Sequence, residues 1–331
     1  MTGSKLLQRR HFMHMLACVS AGAATSTLPF TAAAQSSAWP SKPLRIVVPF
    51  GPGGLGDSLG RLLATSLQHE LGQPVIVENK PGGGGAIALS TAARAEDDHT
   101  LLIGNAGMVL LPLVSPNQPF KLVGDFEAVG MVSRQPMVLT VPSASPYRTV
   151  AELVAAKKSI NLGTAGNGTL AHLAGELFSM QSGVPITTVA YRGESPLTID
   201  LVAGSVDAAF TNLPVILPLA KAGRLRVLAT TGNAASPELP EVKTFKDLGM
   251  QGMEVESWGS LMAPKSLAPE RRARVEAALR KALTNDEVRR RLADMGATPY
   301  VITAAQSNAY LKAEAERWSQ LVRTRNIKFD S

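Results

Sequence analysis

At residues 50–57 the chain reads Phe50-Gly51-Pro52-Gly53-Gly54-Leu55-Gly56-Asp57. This stretch joins an apolar run, residues 44–49, to an amphipathic segment that begins near Asp57. The pattern predicts a strand that ends in a glycine-rich turn and leads into a helix. The first N–H groups of a helix have no partner within it, and the helix dipole places partial positive charge there. Because glycine also lets a ligand approach the backbone closely, we expect this loop to bind an anion, a carboxylate in particular.

Apolar, strand-like runs alternate with helical patterns along almost the whole chain. The strand candidates are residues 44–50, 74–78, 100–104, 137–141, 160–163, 186–191, 206–210 and 225–231. Strands that are separated by helical segments are typical of βαβ units. The sequence therefore predicts an α/β fold with mixed, mostly parallel sheets and helices on both faces.

Two proline-rich connections, residues 133–147 and 233–258, interrupt this alternation. They indicate that the chain leaves a first domain, builds a second and returns. We expect lobe 1 to comprise residues 35–136 plus 254–331 and lobe 2 to comprise residues 137–253. Ligands of open α/β sheets bind beyond the carboxyl ends of the strands, so loops from both lobes would line a cleft between them.

Three further loops have the composition of a binding site. Two are glycine-rich, Lys80-Pro81-Gly82-Gly83-Gly84-Gly85-Ala86 and Gly163-Thr164-Ala165-Gly166-Asn167-Gly168-Thr169, and the third is Tyr191-Arg192-Gly193. Anion sites that face each other across a cleft would suit a small dicarboxylate or a similar acid. Arg192 is the best candidate for a side-chain charge, because a guanidinium matches a carboxylate with two parallel hydrogen bonds. Thr164, Asn167 and Thr169 could add side-chain hydrogen bonds.

Each of these signals has a structural alternative. Asp57 and Thr169 are both plausible helix N-caps, and His172 could occupy an ordinary surface position of its helix. Arg192 could instead form an ion pair with Glu194 or Asp200. A single glycine-rich turn is a weak signal, but two of them, one in each lobe and each leading into a helix, favour a binding site.

Composition argues against several other classes of function. The 331 residues carry a formal charge of +7, and aromatic residues make up 5% of them, a low fraction that argues against a base-stacking surface for nucleic acid. Beyond residue 34 the chain has no cysteine, and its histidines, His69, His99 and His172, lack metal-ligand spacing. We expect a monomeric binding protein without cofactor or metal, rather than an enzyme.

The N-terminus has the features of an export signal. Lys5, Arg9 and Arg10 precede a mostly apolar stretch, and an A-x-A arrangement ends at Ala34. Residues 1–34 are therefore predicted to be a signal peptide that is cleaved near Ala34 and directs the protein to the periplasm. The segment Arg9-Arg10-His11-Phe12-Met13 loosely matches a twin-arginine signal, and an ordinary Sec signal is the alternative.

The ordered motifs resemble those of one family. They are Val48-Pro49-Phe50-Gly51-Pro52-Gly53-Gly54 with Asp57 and Arg61, Glu78-Asn79-Lys80-Pro81-Gly82-Gly83-Gly84, Gly163 to Thr169 with His172, Tyr191-Arg192-Gly193 with Pro196 and Asp200, Gly204-Ser205-Val206-Asp207, and Gly223-Arg224-Leu225-Arg226. Together they resemble the Bug-type, TctC-like extracytoplasmic solute receptors of tripartite tricarboxylate transporters. The resemblance covers essentially the whole chain beyond Trp39.

This resemblance implies a two-lobed periplasmic-binding-protein fold, type II-like, that closes on a small carboxylate and delivers it to membrane transporter subunits. Receptors of this class often lack a linked transporter, so the membrane partner stays open. It also implies that the ligand carboxylate lies at the loop around Gly53–Asp57. The predicted ligand-binding residues are Phe50, Gly53, Gly54, Leu55, Gly56, Asp57, Gly84, Asn105, Thr164, Ala165, Gly166, Asn167, Thr169, His172, Tyr191, Arg192, Thr211 and Asn212.

The chain departs from the family pattern at three places. Gly56 stands where a hydroxyl residue is frequent, Asp97-Asp98-His99 replaces Asp-Gly-Tyr, and Ala86-Ile87-Ala88 replaces Asn-x-Gly. The loss of a hydroxyl at Gly56 predicts recognition by backbone N–H groups and water at this end of the cleft. Two other functions stay open at this point, namely a receptor that signals to a sensor kinase and a soluble enzyme that acts on a small acid.

Overall fold

A computed structural model describes residues 39–327 of the chain. Strands and helices alternate along most of it, and two isolated helical turns, Gly83–Gly85 and Leu122–Asp125, lie in loops. The elements, in chain order, are β1 (Leu44–Val48), α1 (Leu55–Leu71), β2 (Val75–Asn79), α2 (Ala86–Ala93), β3 (Thr100–Asn105), α3 (Ala106–Val114), β4 (Phe126–Pro142), α4 (Val150–Ala155), β5 (Ile160–Thr164), α5 (Leu170–Ser182), β6 (Ile186–Ala190), α6 (Glu194–Ala203), β7 (Ala208–Asn212), α7 (Leu213–Lys221), β8 (Leu225–Thr230), β9 (Glu256–Pro264), α8 (Pro269–Thr284), α9 (Asp286–Asp294), β10 (Thr298–Pro299) and α10 (Ala304–Arg325).

The strands form one sheet in the order β2-β1-β3-β9-β4-β7-β5-β6, with β8 and β10 also paired to β4. The long strand β4 changes partners along its length. Residues 126–136 pair with β9, and residues 137–142 pair with β7 and β8. We call β1, β2, β3, β9, β10 and residues 126–136 the first section, and β5 to β8 with residues 137–142 the second section.

Strand directions bring the loops of the two sections together. β3 and β4 are both antiparallel to β9, so they run the same way, and β1 and β2 are parallel to β3. β7 is antiparallel to β4, and β5 and β6 run with β7. The carboxyl ends of β1 to β3 and of β5 to β7 therefore point towards each other near the middle of β4. Ligands of open α/β sheets bind at such ends.

Both faces of the sheet are covered by helices. In β1, Ile46 and Val48 pack into one hydrophobic cluster and Val47 into another on the opposite face, as the alternation of side chains along a strand requires. Helix α5 buries Leu173 and Leu177 as its periodicity predicts, but Met180 in its last turn is 39% exposed. The apolar stripe of α5 therefore ends one turn earlier than the sequence indicates.

All eight predicted strand runs coincide with strands, with ends that shift by two residues or fewer apart from the upstream extension of β4. The proline-rich composition predicts a connection at residues 133–147. This prediction is wrong for residues 133–142, which belong to strand β4. Pro136 is the last residue paired with β9, and Pro142 is the last residue of the strand. Proline has no N–H to donate, and the ends of a ladder tolerate that loss.

The return connection between the sections is held by one threonine. Thr231 is buried, and it exchanges backbone and side-chain hydrogen bonds with Met137, where β4 enters the second section. It also bonds Val255, the residue before β9: the carbonyl oxygen of Thr231 accepts from Val255 N, and the hydroxyl of Thr231 donates to Val255 O. Both crossing segments are thus tied to the same residue.

None of the helices between residues 39 and 327 is long and apolar enough to cross a membrane. The predicted signal peptide, residues 1–34, lies outside the described residues.

Candidate ligand-binding site

The first glycine-rich loop is held in shape by Asp57. This side chain is 4% exposed. Its Oδ2 accepts hydrogen bonds from Gly53 N at 3.0 Å and Arg61 Nε at 2.9 Å, and its Oδ1 accepts one from Asn79 Nδ2 at 2.9 Å. Burial opposes ionisation, but these hydrogen bonds prevail and hold the pKa of Asp57 below its usual value. The carboxylate therefore serves the loop itself.

The N-terminus of α1 is open. Its N-cap residue is Gly54, which has no side chain to accept a hydrogen bond, and Asp57 is the third helical residue instead of the cap that its chemistry predicts. The N–H groups of Leu55, Gly56 and Asp57 therefore lack an acceptor within the helix. An anion at this position would receive hydrogen bonds and the favourable end of the helix dipole.

Phe50 explains the glycine at position 56. A Cβ atom on Gly56 would lie 2.4 Å from Cδ2 of Phe50, so the ring occupies the space of a residue-56 side chain. Phe50 itself is 45% exposed. The loop thus presents an apolar ring, in place of a hydroxyl, beside the open N–H groups.

We call residues 163–169, which precede α5, the second glycine-rich loop. Hydrogen bonds from its own side chains close this loop. Gly166 O accepts hydrogen bonds from Thr169 Oγ1 at 2.7 Å and Thr164 Oγ1 at 3.4 Å. Thr169 caps α5, because its Oγ1 accepts from His172 N at 3.4 Å. His172 is buried, against the surface alternative, and its Nδ1 accepts from Gly168 N at 3.1 Å. Thr164, Thr169 and His172 therefore shape the loop.

The third loop adjoins the second. Tyr191 N donates to Thr164 O at 2.9 Å, and Gly193 N donates to Ala165 O at 3.2 Å. Tyr191 Oη donates to Asp200 Oδ2 at 2.7 Å, and burial together with this bond raises the pKa of Tyr191 to about 12. Arg192 is exposed, and within residues 39–327 it forms no ion pair with Asp200 or any other acid. The structural alternative for Arg192 is therefore not realised.

Glu194 and Asn212 form a pair that sequence reasoning did not identify. Oε1 of Glu194 accepts hydrogen bonds from Asn212 N at 2.9 Å and from Asn212 Nδ2 at 3.0 Å. Burial raises the pKa of Glu194, and the bonds from Asn212 offset part of that rise. The sequence showed Glu194 only as a neighbour of Arg192, because the 18 residues that separate it from Asn212 hide the contact.

Several buried polar atoms near the facing strand ends have no hydrogen-bond partner. These atoms are Asn105 Nδ2, Gln135 Oε1, Thr211 Oγ1, Asn212 Oδ1, Trp258 Nε1 and Ser260 Oγ. Buried polar groups are nearly always hydrogen-bonded in folded proteins, to protein or to ordered water. Their concentration where the two sections meet is what a wet ligand site requires.

Two glycines of the glycine-rich loops, Gly84 and Gly168, pack against α3. Gly84 lies against Leu111 of α3, with 3.3 Å between the position of a Cβ and the leucine Cδ2. Val114, at the end of α3, touches Gly168, where an added Cβ would lie 2.4 Å from the valine Cγ1. Gly168 also has a φ of +70°, which favours glycine. The second glycine-rich loop therefore contacts α3 of the first section directly.

The predicted site residues thus form two groups. One contains Phe50, Gly53, Gly54, Leu55, Gly56 and Asp57, with Gly84 and Asn105 on the elements beside it. The other contains Thr164, Ala165, Gly166, Asn167, Thr169, His172, Tyr191, Arg192, Thr211 and Asn212. No group of three or more His, Cys, Asp or Glu residues in the described part of the chain could hold a metal ion.

Comparisons with known proteins agree on one family. The family model of the tripartite tricarboxylate transporter family receptor, TctC, matches residues 59–327. Protein BugT of Bordetella pertussis is 33% identical over 310 residues, which are 92% of this chain and 95% of BugT. The structure of the periplasmic binding protein BugD is similar with a TM-score of 0.80 and 28% identity, over 88% of this chain and 99% of BugD. The R. palustris protein Rpa4515, solved with adipate, gives a TM-score of 0.81 and 31% identity, over 87% and 99%.

These similarities extend over both sections of the sheet. They confirm the predicted fold class, the two-lobed α/β fold of periplasmic binding proteins. The chain belongs to the TctC family of tripartite tricarboxylate transporter receptors, as a Bug-type solute-binding protein.

Proposed function

We propose that this protein is a periplasmic receptor that captures a small carboxylate between lobe 1, residues 35–136 plus 254–331, and lobe 2, residues 137–253. It then delivers the solute to subunits of a tripartite tricarboxylate-type transporter in the membrane. Export would depend on the signal peptide at residues 1–34. The protein works as a monomer that binds its solute unchanged.

One observation carries this proposal. The N-terminus of α1 is open, with N–H groups that no residue of the helix or its cap accepts, and it lies where the loops of both sections converge. A carboxylate placed there gains several hydrogen bonds without losing any that the protein already makes. The structure of Rpa4515 with adipate gives independent support, since that relative was solved with a carboxylate.

The contacts of the polar side chains favour binding over catalysis. The side chains of Asp57, Thr169 and His172 each form a hydrogen bond with the backbone of their own loop. A general base would need to reach a proton of the substrate. The site as a whole offers positioned donors and acceptors, which is what a receptor needs.

A screen of carboxylates by thermal shift tests the proposal. A ligand that binds only the folded protein at about 100 times its Kd stabilises it by about 2.7 kcal/mol, which is readily measured. We expect at least one small carboxylate to raise the Tm and to be recovered unchanged by mass spectrometry. The matched amides and alcohols without a carboxylate serve as controls. Recovery of a converted product, or the same shift with the controls, would refute the proposal.

A further inference from the structure

The two groups of site residues differ in hydrogen-bonding character. The first group, at the end of β1 and the start of α1, offers N–H donors. In the second group, Asn212 at the end of β7 offers an oxygen acceptor, and so does its partner Glu194 at the start of α6. This difference constrains the chemistry of the ligand at each of its ends.

Asn105 adds a side-chain donor to the first group. Its Oδ1 caps α3 by accepting from Met108 N at 3.3 Å, which fixes the orientation of the amide and leaves Nδ2 buried without a partner. Val47 pairs with Leu102 between β1 and β3, so the register continued by three residues places Phe50 level with Asn105. The unpaired Nδ2 donor therefore lies beside the loop that leads into α1.

Asn212 and Glu194 supply acceptors to the second group. Asn212 Nδ2 donates to Glu194 Oε1, and the reversed amide would set its carbonyl oxygen against the carboxylate, so the orientation of this amide is also fixed. Asn212 Oδ1 is consequently left buried without a partner. Glu194 Oε2 accepts no hydrogen bond from the described residues, and no Lys or Arg among them pairs with this carboxylate.

The register of β4 places the two groups on opposite sides of one gap. Asn105 pairs with Gly259 of β9, which pairs with Ser133 of β4, whereas Asn212 pairs with Met137. Ser133 and Met137 are four residues apart, or roughly 13 Å along the strand. The strands that carry the two groups point at each other across this interval, so one small molecule could contact both.

We propose that the solute is a carboxylic acid that carries a hydrogen-bond donor at its far end, an amide, hydroxyl or ammonium group, which donates to Asn212 Oδ1 and Glu194 Oε2. The carboxylate binds the open N-terminus of α1 and Asn105 Nδ2. A second carboxylate at the far end would face the carboxylate of Glu194 and would disfavour binding of a plain dicarboxylate. This inference rests on the proposed receptor function.

Titration calorimetry with matched ligand pairs tests the inference on the unmodified protein. For each chain length from four to seven carbons, the affinity of the half-amide of a dicarboxylic acid is compared with that of the dicarboxylate itself and of the methyl-ended monocarboxylate. We expect the half-amide of the best length to bind at least tenfold more tightly than either partner. A dicarboxylate that binds as tightly as its half-amide would overturn the inference while leaving the receptor function intact.

Glu194→Gln provides the second arm. It removes the opposing charge and should raise the affinity for the dicarboxylate at least tenfold relative to the half-amide. Glu238→Gln makes the same change at a partly exposed glutamate that pairs with Lys221, and should leave the ratio unaltered. If Arg192→Gln, rather than Glu194→Gln, changes the ratio, the far end is a carboxylate site and the inference is wrong. If no carboxylate of any kind binds, the receptor function itself fails.

Discussion

The two glycine-rich loops that precede α1 and α5 have similar sequences and opposite structures. Both follow a strand and lead into a helix, and both contain glycines with positive φ, such as Gly53 and Gly168. The N-cap of α1 is Gly54 without a side chain, whereas the N-cap of α5 is Thr169, whose hydroxyl fills that role. In these two loops, the residue at the N-cap determines whether the first N–H groups of the helix stay open. The number of glycines before the N-cap does not predict whether an anion can bind.

The largest effect should come from Asp57→Ala, which removes the acceptor that shapes the open loop. Gly53 N loses its acceptor, Asn79 Nδ2 keeps only Phe50 O as an acceptor, and Arg61 loses its partner. We expect the free energy of unfolding to fall by about 3 kcal/mol, at the upper end for buried donors left unpaired. Urea denaturation measures this change. Asp57→Asn retains Oδ1 and should cost less, and equal losses for the two variants would contradict the assigned role.

Leu55→Pro should weaken ligand binding with little effect on folding. Proline fits the first position of a helix, and it deletes the N–H of Leu55 while Gly54 already has the extended backbone that proline requires before it. Loss of a hydrogen bond to a charged group costs about 2 kcal/mol, or about 30-fold in Kd. Calorimetry with the ligand found in the screen gives this value, and Leu55→Ala controls for the lost side chain.

The equivalent change at α5 separates the two loops. Leu170→Pro deletes the corresponding N–H after Thr169, and Leu170→Ala corrects for the lost core packing of this buried leucine. We expect the Kd of Leu170→Pro to match that of Leu170→Ala within about twofold, because the capped end of α5 does not bind the anion. A 30-fold loss here as well would show that both helix ends hold the ligand.

Thr169→Val opens the second loop and should cost less stability than Asp57→Ala. The hydroxyl accepts from His172 N and donates to Gly166 O. Its loss should lower the free energy of unfolding by about 1 kcal/mol, the usual cost of a removed N-cap. Thermal denaturation with and without ligand measures both stability and binding. Ligand affinity that falls by more than the stability change explains would contradict a purely structural role for this hydroxyl.

The smallest expected effect is a pH dependence of the stability that Asp57 gives to the first loop. The pKa of Asp57 is lowered in the folded protein from its ordinary value of 3.8. The stabilisation is therefore present above the unfolded pKa and is lost as the pH falls through the folded value. We expect the stability difference between the wild type and Asp57→Asn to shrink below about pH 4, as measured by urea titrations from pH 3 to pH 7. A stability difference that stays constant over that range would contradict a stabilising role for the charge of Asp57.

Local chemistry made most of the strands and the cap of α5 predictable from the sequence. Thr169 follows a glycine-rich turn and precedes an apolar stripe, which is the pattern of an N-cap. Pro136 misled the prediction, because proline indicates a connection unless it falls at the end of a ladder. Strand β9 was missed because Ser257, Gly259 and Ser260 break the alternation of apolar residues.

The site itself was only partly predictable. The sequence singled out the loops of the candidate site, but the hydrogen bonds that each side chain makes depend on contacts between distant residues. The sequence showed only that Gly56 lacks a hydroxyl, whereas in the structure the ring of Phe50 occupies the space of a side chain at that position. The Glu194–Asn212 pair and the unpaired Nδ2 of Asn105 arise only when separate strands meet. Contacts between residues of different strands leave no periodicity or motif in the sequence.

The passage of β4 through both sections has a consequence for how the protein unfolds. A cut between Pro136 and Met137, where the partners change, would sever one strand in its middle, so neither part owns a complete sheet. Melting of one part would expose the backbone of β4 in the other, and each part would lose its stability together with its neighbour. The folded chain should therefore unfold in a single cooperative transition, with equal calorimetric and van't Hoff enthalpies, although its fold has two lobes.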